Sequence, residues 1–212
     1  MASLTPRCVF VHVPKTGGQW VHAALGECGL LTGTLGVVHA SPDEIRASAA
    51  WAARPTRFAF VRSPLRWYPS MWAHRMDDQW LPIDSSDWFS ARWLKAWAGF
   101  TERCRAEDFE DFVVRCTRAF PDGWLAALYR EYLDGVMAVG RQEHLADDLV
   151  RILREAGEDF DETALRATPA RNVRAGGGSR RRSWAWTPAL LALVAECEHA
   201  VFARFGYPVE LP

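Results

Sequence analysis

An α/β fold, a central parallel sheet flanked by helices, is the architecture this sequence predicts, and three observations predict it. Short apolar runs at 8–13, 35–39, 58–61 and 135–140 have strand length, with segments of helical spacing between them. The first run feeds straight into Pro14-Lys15-Thr16-Gly17-Gly18, a tight turn, after which Val21, Ala24, Leu25 and Cys28 fall on one helical face. The run Phe58–Val61 is short and bounded, as a strand buried on both faces should be, and Ser63-Pro64 supplies a cap and a first helical position. Ligands of such sheets bind at the carboxyl ends of the strands. Lys15, His39 and Arg62 each follow one of the first three runs, so they are expected to share one crevice.

The first strand, turn and helix carry the most chemistry. This geometry gathers backbone N–H groups around an anion and aims a helix dipole at it. Lys15 adds a mobile point charge. The chain holds 25 Lys+Arg, yet Lys15 and Lys95 are its only lysines, so a lysine in the turn fills a role that a rigid guanidinium fork would fill badly. The turn is not a nucleoside-triphosphate loop, which needs the lysine after the glycines and a hydroxyl for magnesium. Here Gln19 and Trp20 follow Gly18.

In the second segment, Phe58 to Trp72, Pro69 falls where the helix should already be established, which predicts a kink or a restart there. Residues 77–134 read as a helical insertion. Phe109, Phe112, Val113, Cys116 and Phe120 form one apolar stripe, and Leu125, Leu128, Tyr129 and Tyr132 another. A late strand at Val139-Gly140-Arg141 leads into a helix carrying Leu145, Leu149, Ile152, Leu153 and Ala156. The stretch from Arg174 to Ser183, rich in glycine and arginine, fits a flexible solvated loop as well as an anion-binding one.

With 212 residues the chain suits a single domain, 1–212, and a net charge of −1 provides no global field toward nucleic acid or an anionic membrane. The five cysteines form no close pairs and no metal-ligand spacing, and buried free thiols are expected. From the early first strand no signal peptide is expected, and no apolar run approaches the roughly 20 residues that span a bilayer. A cytoplasmic protein without membrane or nucleic-acid partners is expected.

Both glycine-turn and Val-Arg-Ser-Pro segments resemble those of sulfotransferases that use 3′-phosphoadenosine 5′-phosphosulfate, especially the group with a His-x-Pro-Lys-Thr-Gly-Gly loop that includes carbohydrate and uronyl 2-O-sulfotransferases. The order of Asn172, Thr187-Pro188 and the closing Phe205-Gly206-Tyr207-Pro208 is similar too. The resemblance implies a fold like that of P-loop nucleotide hydrolases and a metal-independent transfer. It implies that Pro14, Lys15, Thr16, Gly17, Gly18, Gln19 and Trp20 hold the 5′-phosphosulfate, with Lys15 also catalytic. Arg62 and Ser70 would hold the 3′-phosphate, and Arg174, Arg180 and Arg181 would close over it. A histidine before the Val-Arg strand serves as base in such relatives, and His39 is the positional match; His74 and a carboxylate stay as alternatives.

The acceptor is expected to be a small, largely uncharged phenol, alcohol or natural-product scaffold. His74 and the cluster Trp80, Trp88, Trp93 and Trp97 are its candidate contacts, Trp93 and Trp97 lying one helical turn apart. Core packing accounts for the same aromatic row. Other classes stay open: a small-molecule or nucleoside kinase, a carbohydrate-chain sulfotransferase, and a nucleic-acid-binding module using the arginine loop. The oligomeric state is not legible.

Overall fold

A computed structural model describes residues 1–81, 91–170 and 184–210. The chain folds as two compact units. Among the described residues, the first holds 1–62 and 131–170, and the second 63–81, 91–130 and 184–210.

The first unit is built on a five-stranded sheet ordered β3-β1-β2-β4-β5. Its strands are β1 (Ala2–Leu4), β2 (Cys8–Val11), β3 (Gly33–Leu35), β4 (Thr56–Val61) and β5 (Ala138–Arg141). β2, β4 and β5 are parallel, with Val11 opposite Ala59 and Val61 opposite Arg141. β1 runs antiparallel to both β2 and β3. The sheet is therefore mixed, and only its β2-β4-β5 core is parallel as the sequence predicts.

Two expectations change here. A strand precedes Cys8, and the run 35–39 is not a strand: β3 ends at Leu35 and Gly36 turns the chain at a φ of 69°. His39 thus sits on a connection, not at a strand end. The following turn is fixed by Ser41, whose N–H donates to Glu44 Oε2 at 2.7 Å, and by Pro42 at the first position of α2 (Pro42–Ile45). A further short helix, α3 (Ala49–Ala52), leads into β4.

One face of the sheet is covered by α1 (Gly18–Glu27), α8 (Leu145–Glu155) and α9 (Glu162–Ala167). The period-2 side chains Cys8, Phe10, Phe58 and Phe60 meet Val21, Ala24, Leu25 and Cys28 of the first helix, and Leu149, Ile152 and Leu153 of the second. The stripe read from the sequence on α1 is the stripe that is buried.

The second unit is helical. Its elements are α4 (Pro64–Asp77), α5 (Ala91–Cys104), α6 (Phe109–Ala119), the body of α7 (Trp124–Tyr132), α10 (Pro188–Cys197) and α11 (His199–Phe205). Phe109, Phe112, Val113 and Cys116 of one predicted stripe are buried, as are Leu125, Leu128 and Tyr129 of the other, and all five cysteines of the chain are buried and free. Glu198 organises the centre. It accepts from Tyr68 Oη at 3.0 Å and from the Leu125 and Ala126 N–H groups at 2.9 Å, so it satisfies the start of α7. Burial raises its carboxyl above the ordinary range despite those three donors.

α4 does not restart at Pro69: it runs unbroken through that residue. Proline withholds the N–H that would have bonded the Leu65 carbonyl one turn back. That carbonyl instead accepts the indole N–H of Trp186 at 3.1 Å. Trp186→Phe keeps an aromatic ring but strands the carbonyl, and is expected to cost about 1–3 kcal/mol. Denaturant midpoints of the two proteins measure this; identical midpoints would show that the indole does not stand in for the missing bond.

Candidate functional site

The carboxyl ends of β2, β4 and β5 release the chain at His12, Arg62 and Gln142, at the edge where parallel sheets bind ligands. From β2 the chain enters the glycine turn. Lys15 has a φ of 66° and Gly17 a φ of 90°, both left-handed. At a lysine that conformation costs roughly 1 kcal/mol or more, and such strain concentrates at functional positions. Thr16 locks the turn from inside: it is wholly buried and its hydroxyl donates to the Val13 carbonyl at 2.9 Å.

Both glycines are demanded by their neighbours. A β-carbon at Gly17 would stand 2.8 Å from a Leu145 methyl, and one at Gly18 would stand 1.8 Å from the His12 ring. The first turn of α1 receives no side-chain cap and contains no acidic residue. The Trp20 and Val21 N–H groups are met by the Gly17 carbonyl at 2.9 and 3.2 Å, and the positive end of the helix dipole faces the turn.

Arg62, leaving β4, donates from Nη1 to the Lys15 carbonyl at 3.2 Å. The two segments singled out in the sequence therefore meet in the first unit, with one cation bracing the backbone of the other. Not every side chain of the turn faces a ligand. Pro14 is buried, and the Trp20 indole donates to the Thr168 carbonyl at 3.3 Å. Thr16 and Trp20 thus shape the turn through bonds within the protein.

A pair of imidazoles lies beside this turn. His12 and His39 are 8% and 7% exposed, with ring centroids 4.4 Å apart. His39 Nδ1 lies 3.3 Å from the His12 carbonyl. A carbonyl only accepts, so Nδ1 carries the proton, and in the neutral ring the basic lone pair is on Nε2. Tyr132 Oη donates to the His39 carbonyl at 2.6 Å and pins the connection that carries it. His12 is held well below the ordinary imidazole value, first by burial and then by His39.

The sign of the resulting pH dependence follows. Unfolding returns His12 to about 6.5, so below that pH the unfolded chain binds the extra proton. Stability is present above pH 6.5 and falls as pH drops toward the depressed native value, by up to about 1.4 kcal/mol per pH unit. The urea midpoint should drop between about pH 7.5 and pH 5.5, and drop less in His12→Gln. Equal losses in both proteins would remove His12 as the cause.

A cavity of about 510 Å³ borders the same residues, lined in part by His12, Gln19, His22 and Val38. His22 Nδ1 is 2.8 Å from the Ser3 hydroxyl.

The remaining candidates fall elsewhere. Ser70, half-buried, and His74, exposed, belong to α4 in the second unit. Trp80, Trp93 and Trp97 are also in that unit and are 4%, 7% and 1% exposed. Trp97 packs edge-on to Phe100 and Trp124 at 5.3 and 5.2 Å, and Trp80 lies 5.9 Å from Phe112. The aromatic row is core packing; the expectation that these three tryptophans present ring faces to an acceptor is corrected by their burial. Trp88, Arg174, Arg180 and Arg181 lie outside the described residues.

Sequence reasoning passed over Tyr132, Gln142 and Leu145 as parts of the site. Tyr132 looked like one more residue of an apolar stripe, and nothing local marks Leu145 as the wall against Gly17. Among the described residues no group of three or more His, Cys, Asp or Glu is placed to hold a metal ion, and no helix is long and apolar enough to cross a membrane. Comparison with protein-family models, curated proteins and solved structures gave no match.

Proposed function

We propose that the protein is a sulfotransferase that takes its sulfuryl group from 3′-phosphoadenosine 5′-phosphosulfate and passes it to a hydroxyl of a small acceptor. One observation carries the reading: a lysine and a glycine in left-handed conformation open an uncapped, acid-free helix at the ligand edge of the sheet, braced by Arg62. These residues suit the donor. The glycine cradle admits no β-carbon, the N–H groups and Lys15 offer charge to a phosphosulfate, and the guanidinium of Arg62, which braces the turn, is the candidate for the 3′-phosphate.

The donor supplies a sulfuryl group that moves in line to an oxygen, with the bond's electron pair leaving on the nucleotide phosphate. Orientation and charge then dominate catalysis, as in phosphoryl transfer. Lys15 would offer its ammonium to the negative charge that grows on the departing oxygen. His39, oriented through Nδ1 by the His12 carbonyl and held by Tyr132, takes the hydroxyl proton on Nε2. The buried surroundings keep the neighbouring His12 ring neutral, so it does not compete for the anion.

Incubation with donor labelled in its sulfuryl group and a panel of phenols, alcohols and oligosaccharides tests the reading. Labelled sulfate ester should form without divalent cation; a panel that stays unlabelled at high enzyme would contradict it. Arg62→Ala is expected to weaken binding of adenosine 3′,5′-bisphosphate by about 1.5–3 kcal/mol, the value of a charged hydrogen bond. Unaltered affinity in a calorimetric titration would remove Arg62 from the nucleotide site.

A further inference from the structure

Burial of the tryptophan row leaves the question of where an acceptor would sit, and the first unit contains an answer. The cavity along α1 shares His12 and Gln19 with the glycine turn and reaches Val38, the residue before His39. Its volume of about 510 Å³ is that of a small-molecule site, which usually falls at roughly 300–1,000 Å³. Its lining divides by chemistry. Ala23, Leu31 and Val38 offer an apolar wall, while His12, His22 and Glu27 are polar. Neither lysine nor arginine is among its described lining residues, and burial pushes the amino group of Met1, which also lines it, down to about 5.

We propose that this cavity is the acceptor site and that it takes an amine-bearing phenol or alcohol of about one or two rings, with the hydroxyl at the end of the His12–His39 pair and the amine toward Glu27. The proposal rests on the sulfotransferase reading for the fate of the hydroxyl. Three features select the class. An apolar wall facing a few polar groups suits a compact ring, not a chain of sugars. A carboxylate without a lining side-chain cation repels a polyanionic acceptor and attracts an ammonium group. The buried ring of His12, kept neutral, adds no positive charge at the end nearest the turn, where Gly18 packs directly on it.

Gly26 gives the test a clean handle. It lines the cavity on α1, and a β-carbon there meets nothing within 4 Å. Gly26→Phe therefore fills the cavity without displacing a neighbour at its β-carbon, and replacing a helical glycine does not weaken the helix. Tyramine, 2-naphthol and a heparan-type oligosaccharide are titrated calorimetrically into the unmodified protein, Gly26→Phe and Glu27→Gln, with no nucleotide present. Tyramine should bind more tightly than 2-naphthol, and the oligosaccharide weakest. Gly26→Phe should weaken both phenols at least tenfold. Glu27→Gln should abolish the advantage of tyramine and leave 2-naphthol unchanged, and the position is exposed, so the fold should tolerate the change.

Equal phenol affinity in Gly26→Phe and the unmodified protein, or tightest binding by the oligosaccharide, would overturn the assignment. A parallel titration with adenosine 3′,5′-bisphosphate separates the two readings. If the bisphosphate fails to bind while the phenols behave as described, the donor reading falls and the cavity remains a binding site for the amine-bearing class.

Discussion

Lys15→Ala is expected to lower turnover about 100-fold or more while the protein stays folded. Removing one preorganised charge from the place where negative charge grows has an effect of that order. The fold should tolerate the change because the lysine is only half-buried and the turn is held by Thr16, Gly17 and the Arg62 contact to the Lys15 carbonyl, which is backbone. Alanine also dislikes a φ of 66°, so Lys15→Gly is the companion variant: it relieves the strain and should be as inactive as alanine. Lys15→Arg should recover little, since a planar fork replaces a compact ammonium. Single-turnover rates with saturating donor measure the effect; full activity in Lys15→Gly would show the lysine to be a bystander.

The second large effect is expected at His39. Loss of a general base lowers rates by about 10²–10⁴, and His39→Ala should fall in that range with its affinity for adenosine 3′,5′-bisphosphate unchanged. The structure supplies a control. Tyr132→Phe removes the hydroxyl that holds the His39 carbonyl at 2.6 Å and should reduce kcat by a smaller factor, about tenfold, from misplacement alone. His12→Ala probes the neighbouring ring, which also lines the cavity. If His39→Ala retains its rate and His12→Ala loses it, the proton passes to His12 and the pair exchanges roles.

Much of this site is legible in one sequence because its chemistry is local. Pro14 to Gly18 announces a turn by glycine spacing, Val21 to Cys28 announces the helix after it by period, and Arg62 follows a recognisable buried strand. What the sequence hides is what depends on distant partners. β1 is three residues long, too short for an alternation to register, and with it the antiparallel edge of the sheet goes unseen. Pro69 reads as a helix breaker because the residue that makes it tolerable, Trp186, lies far along the chain in α10's approach. The row Trp80, Trp93 and Trp97 has the same period whether it faces ligand or core; only Phe100, Phe112 and Trp124 around it decide the matter. The cavity is hidden for the same reason. Its wall joins α1 to Leu31 and Val38, which lie on either side of β3.

The most direct test of the donor assignment is a calorimetric titration of adenosine 3′,5′-bisphosphate into the protein with a chelator present. The account predicts saturable binding of one bisphosphate per chain, independent of magnesium, weakened at least tenfold in Arg62→Ala, while ATP with magnesium binds far more weakly. Tight binding of ATP that requires magnesium, with no heat from the bisphosphate, would contradict it.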